Sequence, residues 1–122
     1  MPVRSLSSRV LVWPDRAAVE EALRLWAASQ GDSHPELLRA GYFGSYARGE
    51  WGVGSDLDVL LIVRESALPW ERRAASWDTL SLPVDSEILV YTTQEWEGLA
   101  ARGEGFPATL GAEAVWVFER PA

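Results

Sequence analysis

Gly44-Ser45-Tyr46-Ala47-Arg48-Gly49, followed by Ser55-Asp56-Leu57-Asp58 and the apolar run Val59-Leu60-Leu61-Ile62-Val63, is the stretch that decides the fold. A turn of small residues closes one apolar segment, and a pair of carboxylates opens the next. Ten residues separate Ser45 from Asp56, and one separates Asp56 from Asp58. Side chains two apart on a strand share a face, about 7 Å apart at ~3.3 Å per residue. Such a pair can hold divalent metal, while a glycine turn offers backbone N–H groups to a phosphate. Asp58 abuts the apolar run directly. An unpaired charge there would be costly, and a bound cation would relieve it. Taken singly, each half has a bland reading: Gly44-Ser45 as an ordinary turn, Asp56 as a solvated strand entry. No Gly-Lys-Ser or Gly-Lys-Thr follows, which excludes a Walker-type phosphate loop.

Working outward, Leu37 to Phe43 reads as a first central strand delivering Gly44-Ser45 at its end. Tyr46 to Trp51 reads as a short helix broken by Gly52 and Gly54, with Ser45 near its N-terminus, where anions are stabilised. Asp58 to Val63 is a second strand, apolar on both faces and so expected under helices. Upstream, Val10 to Trp13 is a candidate edge strand. Pro14-Asp15 opens a helix whose buried stripe is Val19, Ala22, Leu23 and Trp26, and Gly31 is expected to end it. His34 then falls in a solvated loop. Downstream, Trp70, Ala74, Trp77 and Leu80 recur at helical spacing, with Arg72 and Arg73 on the solvated face. Val84 to Thr92 is a third strand, Thr93-Gln94-Glu95-Trp96 a capped helix start, and Val115 to Phe118 a last strand. Strands alternating with helices predict an α/β fold (α+β in stricter usage), a small mixed β-sheet with helices packed against it, as one domain over residues 1–122.

A chain of 122 residues with 48% apolar residues can bury roughly two thirds of its unfolded surface. No run approaches the ~20 apolar residues of a membrane span, and Met1 to Arg9 lacks the apolar centre of a signal peptide. Cysteine is absent, so disulfides and thiolate zinc sites are excluded and a cytoplasmic location is expected. The net charge is −7, and all 11 basic residues are arginine. So acidic a surface repels a polynucleotide backbone, which argues against a template-copying polymerase and favours a protein or small-molecule acceptor. Seven tryptophans serve the core, an interface, or both.

The segment GSYARGEWGVGSDLDVLLIV resembles the G-S-x(10)-D-x-D signature of the polymerase-beta-like nucleotidyltransferases, and most closely the minimal nucleotidyltransferases often encoded beside a helical HEPN protein. The resemblance is strongest over Leu38 to Val63. It implies that Gly44 and Ser45 contact a triphosphate, and that Asp56 and Asp58 hold Mg²⁺, two ions in such sites. It also implies a third carboxylate on a neighbouring strand. Counting back from Tyr91-Thr92 gives Glu87; counting forward from Pro83-Val84 gives Asp85, with Glu87 modestly preferred. Arg48 either steadies a phosphate or pairs with Glu50 or Asp56, and Trp51 borders the nucleotide or lids the core.

The function expected is transfer of AMP from ATP to a hydroxyl, plausibly on a HEPN toxin for which this chain is the antitoxin, in a homodimer or a hetero-oligomer with its partner. Two alternatives stand beside it. One keeps the chemistry but takes an aminoglycoside-type acceptor; the other is a non-catalytic module that neutralises a partner by binding.

Overall fold

A computed structural model describes residues 15–50, 52, 56–102 and 113–121. The expected edge strand Val10 to Trp13, together with Pro14, Trp51, Gly54 and Ser55, lies outside the described residues. Helix α1 (Arg16–Ser33) leads to β1 (Leu37–Phe43), a short α2 (Ser45–Arg48) and β2 (Leu57–Val63). Then come α3 (Trp70–Arg73) with a 3₁₀ turn (Ala74–Ser76), β3 (Ser86–Thr92), α4 (Thr93–Arg102) and β4 (Val115–Glu119). The four strands form one mixed sheet in the order β3-β2-β1-β4. Strand β1 runs antiparallel to both β2 and β4, while β2 and β3 are parallel.

The apolar run of β2 forces two covering layers, because alternate side chains point to opposite faces. Leu57, Val59, Leu61 and Val63 are buried with Val19, Leu23 and Trp26 of α1. On the other face Leu60 and Ile62 pack with Tyr91 of β3 and with Trp96 and Leu99 of α4. Asp58 shares this second face, at the end of β2 where helical cover stops.

Strands β1 to β4 fall where hydrophobic patterning puts them; the helices depart from expectation in three places. Helix α1 runs through Gly31 to Ser33. Gly31 is helical and buried, since a Cβ there would lie 2.9 Å from Phe118 Cζ, and its carbonyl accepts a 2.7 Å bond from Arg120 Nη2. Helix α2 is shorter than expected, because Gly49, at φ 76°, ends it before Gly52. The expected helix Trp70 to Leu80 stops at Arg73 and its 3₁₀ continuation. Trp77 turns to extended backbone, stacks on His34 with centroids 4.0 Å apart, and lies near Trp26. Asp78 Oδ1 accepts from the Leu80 N–H, a local turn that competes with helix, and Leu80 is left 92% exposed.

The stacking also corrects the reading of His34, which is a half-buried helix cap over Trp77 rather than a solvated loop residue. Arg73 is corrected more sharply. It is 8% exposed, donates to the carbonyls of Leu68 and Val90, and grips Glu95 with both terminal nitrogens at 2.6 and 3.1 Å. Glu95 in turn closes a capping box in which Thr92, not Thr93, is the cap: Thr92 N–H donates to Glu95 Oε1 and Glu95 N–H to Thr92 Oγ1. Arg73 therefore ties α3, β3 and the start of α4 together.

The Arg73 guanidinium holds the Glu95 carboxyl below the ordinary carboxylate range. A depressed folded-state pKa gives stability that is present above the unfolded value and lost as pH falls through the folded one. Chemical denaturation between pH 7 and 3 should therefore show an acid-side loss from Glu95 that Glu95→Gln lacks. Arg73→Ala should cost about 1–3 kcal/mol at neutral pH by leaving the buried Val90 carbonyl without this donor.

Candidate active site

Strand ends converge at one rim of the sheet. β1 finishes there at Phe43, while β2, β3 and β4 begin there. The antiparallel register sets Phe43 opposite Asp58, and the parallel register sets Asp58 beside Glu87. Gly44, the next residue after Phe43, has φ 78° and ψ −149°, a region essentially restricted to glycine. A Cβ at this position would collide with Asp58 Oδ2, so the carboxylate lies directly against the glycine backbone. Thus the small-residue turn and Asp58, separated along the chain, meet in space.

Ser45 begins α2 and is half-buried, with no bond to its hydroxyl among the described residues. Tyr46 is fully buried and anchors the turn in the α1-side core. Asp56 is exposed just before β2. Asp85 precedes β3, where its carbonyl accepts from the Leu57 N–H at 2.8 Å, and its side chain is exposed.

Burial pushes the Asp58 carboxyl above the ordinary carboxylate range. The charges of Glu87 and Asp56 push the same way, Arg48 opposes them, and Glu113 adds a smaller upward push. Asp85 is not among the charges acting on Asp58. Of the two candidates for a third acid, the register therefore brings Glu87 to Asp58 and leaves Asp85 one step outside.

Glu113 is a site residue that sequence reading missed. Its Oε1 accepts the Gly44 N–H at 2.8 Å and approaches Arg48 Nη1 at 3.3 Å. Arg48 also pairs with Glu50 at 2.7 Å, one of the partners expected for it. The signal for Glu113 lies in strand pairing alone: Tyr42 faces Val115, and two further steps along that register bring Glu113 opposite Gly44.

The fold and this rim agree with what is known of other proteins. Residues 32–101, more than half the chain, match the family model for the nucleotidyltransferase domain. The chain belongs to the nucleotidyltransferase domain family. No curated protein matches the sequence closely enough to count as a relative. Among solved structures, a protein of Sulfolobus solfataricus described as a nucleotidyltransferase aligns with a TM-score of 0.61 at 17% identity, over 98% of this chain and 94% of that one. A toxin–antitoxin structure with AMP-PNP aligns at 0.53 and 16% identity, over 83% of this chain and 73% of that one. A mutant of the toxin–antitoxin MntA–HpeT aligns at 0.51 and 13% identity, with the same coverage. These identities establish the shared fold. No helix among the described residues of this nucleotidyltransferase is long and apolar enough to cross a membrane.

The rim fits a hard, oxygen-ligated cation on its own chemistry, because positive charge among Asp58, Asp56 and Glu87 would offset the burial and the repulsion that together raise the Asp58 pKa. Among the described residues, no three acid or histidine side chains close into a protein-only metal cage. Mg²⁺ in nucleotide enzymes needs none, since it takes one or two carboxylates, keeps waters, and draws further ligands from substrate phosphates.

Gly44→Ala tests the close approach. The disallowed backbone should cost about 1–3 kcal/mol. The added methyl should also displace Asp58, so nucleotidyl transfer should fall further than the stability loss alone would cause. Denaturation midpoints and activity measured on the same preparation separate the two effects.

Proposed function

We propose that this nucleotidyltransferase moves AMP from ATP, with Mg²⁺, onto a hydroxyl of a partner protein, and that the partner is a HEPN toxin for which the chain acts as antitoxin. The observation that carries the reading is the seating of the Asp58 carboxylate against Gly44, with Glu87 alongside in register. Two solved proteins of similar fold are toxin–antitoxin assemblies, one of them holding AMP-PNP, and these support the nucleotide and the kind of partner. The net charge of −7 supports a protein acceptor over a polynucleotide.

In this reading Gly44 and Ser45 hold the triphosphate through backbone N–H and hydroxyl, and Arg48 supplies a positive counter-charge. Asp56, Asp58 and Glu87 are the carboxylates from which a metal would draw one or two ligands, with waters and the substrate phosphates supplying the rest. Bound Mg²⁺ would supply charge that lowers the acceptor hydroxyl's pKa and neutralises pyrophosphate. The acceptor oxygen forms a bond to the α-phosphorus as the α–β bridging P–O bond breaks in line, and pyrophosphate leaves. The hydroxyl proton passes to Glu87, or to Asp85 if the approach is from the outer side. Holding the reactants in line and stabilising charge supply most of the rate.

The test is incubation with radiolabelled ATP, Mg²⁺ and the product of the neighbouring gene. The partner should become adenylylated, and Asp58→Ala should lower the rate at least about a hundredfold, the scale for losing a preorganised charge-stabilising group. An unlabelled partner with both proteins folded would refute the proposal. Full toxin neutralisation by an Asp56→Ala, Asp58→Ala double variant would replace it with stoichiometric binding.

A further inference from the structure

Glu113 stands where the proposed function puts a phosphate. Its Oε1 takes the Gly44 N–H at 2.8 Å and the Arg48 Nη1 at 3.3 Å. Two donors from different parts of the turn, one of them cationic, thus converge on a single anionic oxygen. The side chain is largely buried, at 21% exposure. We propose that Glu113 is a built-in occupant of the triphosphate cradle, a carboxylate that holds the Gly44 amide and Arg48 until a nucleoside triphosphate displaces it. The inference rests on the proposed function, since it is that reading which assigns Gly44 and Arg48 to the triphosphate.

Three observations carry the argument. Gly44 follows directly on the Phe43–Asp58 pair in a glycine-only backbone conformation, and its N–H points at Glu113 Oε1. Carboxylate and phosphate oxygens compete for the same donors, and one N–H cannot serve both at full strength. Lastly, Glu113 brings a further negative charge to the rim and adds to the repulsion felt by Asp58.

Displacement needs no rearrangement of the sheet. Glu113 lies two residues before β4, whose pairing with β1 from Tyr42–Val115 onward does not involve its side chain. Arg48 keeps Glu50 as a partner at 2.7 Å when Glu113 leaves. An ATP-free site is thereby closed to weakly binding anions, and opens to a polyphosphate with enough charge to win both donors.

Glu113→Gln is the informative variant. The amide oxygen can still accept the Gly44 N–H, so a purely structural clip between β4 and the turn would survive, whereas the competing negative charge is gone. Calorimetric titration of the full chain with inorganic tripolyphosphate and with ATP–Mg²⁺ should show affinity about tenfold higher in Glu113→Gln than in wild type, the change expected for one charge-assisted contact. Glu113→Ala should gain affinity similarly while melting at lower temperature. Equal or weaker binding by Glu113→Gln, with wild type still transferring AMP, overturns the occupancy and leaves the functional reading intact. Failure of both wild type and variant to bind either probe overturns both.

Discussion

Antiparallel pairing of β1 with β2, in the register that sets Phe43 across from Asp58, is the constraint on which the rest of the molecule depends. The hydrophobic pattern of β2 enforces that register. A slip of one residue would turn Leu57, Val59 and Leu61 out of the α1 core and drive Asp58 into it. Once it is set, Gly44 must pass directly over the Asp58 carboxylate, which only a residue without a side chain can do in that backbone conformation. The parallel partner β3 then brings Glu87 beside Asp58, and β4 brings Glu113 beside Gly44.

The outcome is a rim that the protein alone does not satisfy. Burial weighs most on the Asp58 carboxyl, and Glu87, Asp56 and Glu113 add repulsion to it with Arg48 as the opposing charge. Charge on Asp58 therefore works against the stability of the fold. Elsewhere the molecule holds together conventionally, with apolar cores on both faces of β2. Arg73 shows the contrast, being buried with two carbonyls and a bidentate carboxylate.

Patterning of apolar residues made the strands legible, because a period of two with a long buried run leaves little freedom. Helix ends were read less well. Gly31 looked like a stop, yet packing of Phe118 and Arg120 against the helix needs a glycine inside it. The periodicity of Trp70, Ala74, Trp77 and Leu80 reads as helical, yet Trp77 is in extended backbone and stacks on His34. Arg73 looked solvated because its partners, Leu68 O, Val90 O and Glu95, are decided by how β3 and α4 dock.

By itself the sequence determined the sheet-forming segments, the glycine turn and the acidic couple at fixed spacing, since these follow from local periodicity and from residue types with few alternatives. Tertiary structure decided which distant groups share the rim. Choosing between Glu87 and Asp85 as neighbour of Asp58, and finding Glu113 at all, required strand register, a long-range property that one-residue shifts invert and that no local window contains.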